Sequence, residues 1–294
     1  MSPVKLWLVA ARPRTLPAAV APVLVGTSLA IGEGTFRPLA FACALIGSIF
    51  IQIGTNLSND YSDARRGADT EDRLGPVRVT AGGLMPPRTV LIGTYVAFGI
   101  AVLAGVYLIA IAGWQLLLVG AASILAGVLY TGGPRPYGYE GLGEVFVFLF
   151  FGVVAVVGSY FVQTEDLRWE AFALSVPVGL LAAAILLVNN IRDADTDRRA
   201  GKRTLAVRLG RSGARGLFVA CIAIAYLAVP LVAIFGRDIS PLVLLALLSL
   251  PLAVPLIRIV RTRSDGPSLN EALAKTGILL ALFSLLLSIG LVAS

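Results

Sequence analysis

Nine runs of apolar residues follow one another along the chain, at about 15–32, 38–57, 89–111, 114–130, 142–163, 170–190, 216–235, 240–258 and 274–293. Each is near the roughly 20 residues an α-helix needs to cross the hydrocarbon of a bilayer. Backbone groups cannot stay unpaired in lipid, and no short alternating strands accompany the runs, so helices are what they predict. The expected fold is all-α: a multi-pass membrane bundle of nine transmembrane helices, forming a single domain over residues 1–294. Ahead of the first run, residues 3–11, with Lys5 and Trp7, predict a helix lying in the membrane interface. Ser28-Leu29-Ala30 has the small-x-small form of a signal cleavage site. Pro13, Pro17 and Pro22 make the stretch before it an atypical signal core, so the first run is expected to be retained.

Composition agrees with a bilayer protein: 57% of residues are hydrophobic and 14% charged, and the mean hydropathy is +0.86, far from a soluble balance. Charge placement then sets the topology. With the N-terminus inside, all of the 24 basic residues except Arg37, Arg168 and Arg237 fall on the cytoplasmic side, the asymmetry that the positive-inside rule demands. The net charge of +7 thus reflects topology and attraction to anionic headgroups. No basic patch is interleaved with exposed aromatics, so no nucleic-acid partner is expected. The expected location is the plasma membrane, with the N-terminus and the polar loops 58–88, 131–141 and 191–215 in the cytoplasm.

Two Asn/Asp clusters interrupt this apolar background. One reads Asn56-Leu57-Ser58-Asn59-Asp60-Tyr61-Ser62-Asp63, followed by Gly67 and Thr70; the other reads Asn189-Asn190-Ile191-Arg192-Asp193-Ala194-Asp195-Thr196-Asp197, followed by Gly201 and Thr204. Each carries Asn-x-x-x-Asp, a further Asp three or four residues on, then a Gly and a Thr at matched offsets. A single such cluster suits a capping loop; two with matched offsets point to function. Residues four apart share a helix face, so Asn56 and Asp60 are expected side by side with Asp63, and Asn189, Asp193 and Asp197 in a similar stripe.

Carboxylates packed beside hydrocarbon are costly and mark functional sites. The chain has no histidine, which removes His-based acid–base chemistry and most zinc sites. Oxygen ligands for a hard cation remain. Magnesium takes one or two carboxylates and shares phosphate oxygens with a substrate. Two Asp clusters facing each other therefore suit Mg²⁺ and a diphosphate, with Arg65, Arg66, Arg73, Arg78, Arg192, Lys202 and Arg203 near enough in sequence to balance its charge. A dry membrane cavity would also protect a carbocation left by diphosphate loss. Cys43 and Cys221 lie in apolar runs and are expected to be packing residues.

Asn59-Asp60-x-x-Asp63 and Asp193-x-x-x-Asp197, set in nine apolar spans, resemble the UbiA-type intramembrane aromatic prenyltransferases. Further segments are similar to the branch that prenylates 1,4-dihydroxy-2-naphthoate: Ala11-Arg12-Pro13-Arg14-Thr15-Leu16-Pro17, Gly67-Ala68-Asp69-Thr70, Gly75-Pro76-Val77-Arg78, Tyr130-Thr131-Gly132-Gly133-Pro134 and Gly201-Lys202-Arg203-Thr204-Leu205. The wider superfamily often has a third Asp where this chain has Gly67, which leaves the first cluster's ligand set partly open.

The resemblance implies transfer of a polyprenyl group from a polyprenyl diphosphate to the carboxylate-bearing carbon of 1,4-dihydroxy-2-naphthoate, with loss of CO₂ and diphosphate, giving demethylmenaquinone in its quinol form. It implies Mg²⁺ as cofactor, held by Asn56, Asp60, Asp63, Asp193 and Asp197, the four carboxylates being catalytic. Asn56, Asn59, Arg65, Arg73, Arg78, Tyr130, Asn190, Arg192 and Lys202 are the expected substrate-binding residues. Tyr137 and Tyr139 are candidates for the acceptor side or for interfacial anchoring, and Glu140 and Glu144 for stabilising a helix start. A UbiA-type enzyme with another aromatic acceptor, and a cation-coupled transporter with its acids near the bilayer midplane, are the alternatives.

Overall fold

Prolines mark where the helices begin. Pro3, Pro17, Pro38, Pro87 and Pro241 each open a helix, where a fixed φ is pre-organised and the missing N–H costs no bond. The computed structural model describes residues 1–68 and 74–293. Its helices are α1 Pro3–Ala11, α2 Pro17–Gly32, α3 Pro38–Arg65, α4 Pro87–Ala112, α5 Gln115–Leu129, α6 Gly143–Thr164, α7 Trp169–Arg199, α8 Leu205–Phe235, α9 Pro241–Thr262 and α10 Gly266–Val292. No strand occurs among the described residues. As expected, α1 is a separate short helix. It ends at Arg12 in a left-handed conformation (φ 54°), and a 3₁₀ turn at Pro13–Thr15 then leads into α2 through a 54° bend.

Seven helices are long and apolar enough to cross a bilayer, and an eighth crossing results if the bent pair Pro3–Thr15 and Pro17–Gly32 counts as one span. The ninth expected span is the short helix α5. Its 15 residues rise only about 22 Å, less than the roughly 30 Å of hydrocarbon. Gly113, with φ 103°, and the turn after Tyr130 cut the helix at both ends.

Helix α7 is the centre of the bundle, with 78% of its apolar window buried. Its residues Leu174, Val178, Leu181, Ile185, Val188 and Ile191 form the core with residues of α2, α6, α8 and α10. The backbones of α6 and α7 come very close at Gly152 and Gly179: a Cβ on Gly152 would lie 2.7 Å from the Gly179 Cα. Small residues permit this approach, and α6 passes it through a π-helical turn at Phe148–Val154. Large apolar side chains such as Leu103, Leu227 and Ile234 remain on the outside of the bundle, the distribution of a chain solvated by lipid.

Both Asn/Asp clusters lie on helix, as their spacing predicts, and the helices run past the loop starts expected at 58 and 191. Helix α3 runs on to Arg65 and α7 to Arg199, because no Gly or Pro interrupts the clusters. The matched glycines end them: Gly67 has φ 64° and Gly201 φ 74°, the left-handed position after a helix C-terminus. The turns are alike, with Ala68 N–H donating to Asp63 C=O (3.0 Å) and Lys202 N–H to Asp197 C=O (2.8 Å). At the opposite end of the bundle, Arg37, Arg168 and Arg237, the three basic residues that break the charge asymmetry, sit with Glu33, Gln163 and Asp238. Arg168 pairs there with Glu33 (2.6 Å) and Glu170 (3.3 Å).

Candidate active site

Periodicity on α3 selects the residues that face inward. Gln52, Asn56, Asn59 and Asp63, spaced four, three and four apart, line a cavity of about 780 Å³, as one face of a 3.6-residue helix should. Asn189, Asn190, Asp193 and Asp197 line the same cavity from α7. The two clusters are thus brought together across one space, with Asp63 and Asp197 each two residues from the end of its helix.

Cations tie the two sides. Asp63, 1% exposed, accepts from Lys202 Nζ at 3.1 Å, from Arg78 Nη2 at 3.4 Å and from the Tyr139 hydroxyl at 2.6 Å. Lys202 reaches it from the turn after α7, and its ammonium also lies 4.8 Å from the centre of the Tyr139 ring, within cation–π range. On α7, Asp193 takes Arg192 Nε at 2.8 Å and Nη2 at 2.6 Å. Thr204, which caps α8, contacts Asp197 at 3.5 Å. Asn56 donates its amide to the Ala11 carbonyl (3.0 Å) and to Thr15 (3.4 Å), which directs its amide oxygen elsewhere. Asn59 accepts from Thr131 (2.9 Å).

Below this polar end the cavity is apolar. Phe150, Phe151, Val154, Ile109 and Leu116 are among its walls. Tyr130, Tyr137 and Phe146 make an aromatic side near the polar end: Tyr137 stacks on Phe146 with ring centres 4.0 Å apart and meets Tyr130 edge-on at 5.4 Å. The Tyr137 hydroxyl donates to the Ala126 carbonyl (2.9 Å), and burial raises its pKa well above the ordinary phenol value. It therefore stays a neutral donor.

Of the expected residues, Asn56, Asn59, Asp63, Arg78, Tyr130, Asn190, Asp193, Asp197 and Lys202 line the cavity. Three others do not. Asp60 does not line it, so the expected Asn56/Asp60/Asp63 stripe fails: at 100° per residue it stands about 70° from the middle of the Gln52/Asn56/Asn59/Asp63 face, and its carboxylate accepts the Val79 and Thr80 N–H groups instead. Arg65 is exposed and leans on Tyr61. Arg192 is 1% exposed and acts behind the site, bridging Asp193 to Asn189 and Asn270. Arg73 lies outside the described residues. Sequence spacing alone did not single out Tyr139 for Asp63, because that contact joins the end of α3 to a turn 76 residues on. Glu144, half of whose carboxylate accepts from Asn190 (2.8 Å), was assigned only to a helix start.

The donor set suits a hard divalent cation. Carboxylate and amide oxygens face one buried space from two helices whose C-terminal dipoles favour positive charge. Among the described residues no three acidic side chains already converge on one point. Such a site fits Mg²⁺ completed by water and a substrate's phosphate oxygens, rather than a closed protein cage.

Comparisons with known proteins agree with this geometry. The chain is 39% identical over 279 residues to the 1,4-dihydroxy-2-naphthoate octaprenyltransferase of Mycobacterium tuberculosis, covering 95% of this chain and 94% of that one. It is 38% identical over 289 residues to the protein of the same name from Bacillus subtilis, covering 98% and 92%. Its fold matches a UbiA homolog from Archaeoglobus fulgidus bound to GPP and Mg²⁺, with a TM-score of 0.68 at 18% identity over 98% of this chain and 100% of that chain. The model of the UbiA prenyltransferase family matches residues 19–278, and the chain belongs to that family.

Proposed function

We propose that the protein transfers a polyprenyl group from its diphosphate to 1,4-dihydroxy-2-naphthoate, releasing CO₂ and diphosphate, in menaquinone synthesis. One observation carries this reading. Two acid–amide stripes and two cations converge at one end of a long apolar cavity, so a single ligand with an anionic head and a hydrocarbon tail fits the whole space. Near-full-length relatives at 38–39% identity that are named for this reaction support the acceptor.

Asp63, Asp193 and Asp197, with the amide oxygens of Asn56 and Asn59, would hold Mg²⁺ at the diphosphate. Bound Mg²⁺ would neutralise the diphosphate and stabilise it as a leaving group. Lys202 and Arg78, now paired with Asp63, supply fixed positive charge to the same group. As the allylic C–O bond breaks, the bond to the ring carbon forms. The electron pair of the departing carboxylate's C–C bond restores the aromatic ring, so the transfer balances without an external base. The faces of Tyr130, Tyr137 and Phe146 offer electron density to the allylic cation, and the apolar walls keep water from capturing it. The naphthoate approaches from the polar end, and the tail lies among the α4, α5 and α6 side chains.

The bent α1–α2 pair and α5 each supply a crossing in this proposal, bringing the spans to nine, with the N-terminus and the site facing the cytoplasm of the plasma membrane. Asp63 and Asp197 lie next to helix ends, away from the midplane position that a cation-coupled transporter requires. The test is turnover in nanodiscs with a prenyl diphosphate and Mg²⁺, offering 1,4-dihydroxy-2-naphthoate or 4-hydroxybenzoate. Prenylated product and CO₂ from the naphthoate alone are expected. Product from the benzoate alone would replace the acceptor.

A further inference from the structure

We infer that Asp60 is a positioning residue for Arg78, not a metal ligand: it clamps the chain at Val79 and Thr80 so that Arg78 is presented to the diphosphate end of the cavity. The inference rests on the reading of that end as the diphosphate site.

Asp60 is 2% exposed and does not line the cavity. Its two carboxylate oxygens each receive a backbone N–H from successive residues, Oδ2 from Val79 (3.1 Å) and Oδ1 from Thr80 (2.9 Å). An ionised carboxylate on two backbone donors is a strong, directional clamp. It fixes the peptide on either side of Val79, the residue that follows Arg78. Val79 is fully buried in a small cluster with Ala10, Leu57, Met85 and Val90. The segment then folds on itself, with Gly82 N–H donating to Arg78 C=O (2.9 Å) and Met85 N–H to Val79 C=O (2.9 Å). The Arg78 side chain is only 10% exposed and stands 3.4 Å from Asp63. Farther back, Asn270 of α10 donates to the Leu74 carbonyl (3.0 Å) while accepting from Arg192 (2.7 Å). The segment that carries Arg78 is therefore held on both sides, and Arg192, bonded to Asp193, belongs to the same framework.

A clamp and a ligand differ in what their loss changes. Asp60→Ala, Arg78→Ala and the double variant, in the full-length protein in nanodiscs, separate the two roles. Removing a charge-assisted contact to the diphosphate raises its KM by roughly tenfold or more. The expected results are a rise in the prenyl-diphosphate KM for Asp60→Ala similar to that for Arg78→Ala, and no further rise in the double variant, since residues acting as a unit are non-additive. Mn²⁺ affinity, read by electron paramagnetic resonance without turnover, should match that of the unsubstituted protein. Asn270→Ala should raise the same KM without touching a carboxylate, and it keeps the test open should Asp60→Ala not fold. Weakened Mn²⁺ binding in Asp60→Ala with unchanged binding in Arg78→Ala would overturn the inference, as would multiplying KM effects or an Asn270→Ala variant with unchanged KM. If Arg78→Ala itself leaves the KM unchanged, the assignment of the diphosphate end fails; if only Asp60→Ala does, the clamp alone fails.

Discussion

Replacing Lys202 by Ala isolates the cation that crosses from one repeat of the site to the other. Its ammonium is 3.1 Å from Asp63 and lies over the Tyr139 ring, and the residue is 8% exposed. Asp63 keeps the Tyr139 hydroxyl at 2.6 Å and Arg78 at 3.4 Å in its absence. Its charge is not stranded, and the large penalty for breaking a buried pair is avoided in part. The main loss falls on the substrate. A charged hydrogen bond to a diphosphate oxygen contributes about 2 kcal/mol, which corresponds to a roughly 30-fold higher KM for the prenyl diphosphate at 1.4 kcal/mol per tenfold. Initial rates in nanodiscs, with each substrate varied against a saturating level of the other, provide the measurement. The naphthoate KM should change by less than about threefold if this cation does not pair with the acceptor's carboxylate. A rise confined to the naphthoate KM would refute the assignment and place Lys202 at the acceptor.

Other consequences follow from the same contacts. Tyr139→Phe removes the phenol that donates to Asp63 at 2.6 Å; a loss of about tenfold in kcat/KM is expected from one hydrogen bond to a charged group, and unchanged kinetics would show that the contact is idle. Gly152→Leu would drive a side chain into the Gly179 backbone; thermal unfolding should show a destabilisation of about 3 kcal/mol or failure to fold, and a variant of full stability would contradict the α6–α7 crossing. Arg168→Ala removes the pairs to Glu33 and Glu170 at the end remote from the site; Tm should fall by a few degrees, consistent with about 1–2 kcal/mol for a half-buried network, with both KM values unchanged. Altered kinetics there would reveal coupling through α6 and α7.

The sequence made the membrane bundle and the meeting of Asp63, Asp193, Asp197 and Lys202 at one cavity legible because each rests on a local signal: apolar length, charge asymmetry, or a matched pair of motifs. The matched glycines could be assigned to helix ends only in the structure, where Gly67 and Gly201 both adopt positive φ. That Asp63 lines the cavity while Asp60 does not was not legible. Spacing fixes the angle between two side chains on a helix, but the direction of the cavity depends on where α7 and the 74–85 segment pack. Arg192 looked like a diphosphate ligand by its position beside Asp193. Its burial against Asn189 and Asn270 requires α10, which is remote in sequence. The shortness of α5 was not legible because hydropathy registers apolar composition and not where a turn cuts the helix.

The most direct test of the central claim is the fate of the acceptor carboxylate. Naphthoate labelled with ¹³C in that group, the purified protein in nanodiscs and a prenyl diphosphate should release labelled CO₂ in step with prenylated product. Release should stop when EDTA removes divalent metal and return when Mg²⁺ is added in excess. Prenylated product that retains the label, or full turnover in EDTA, would contradict the account.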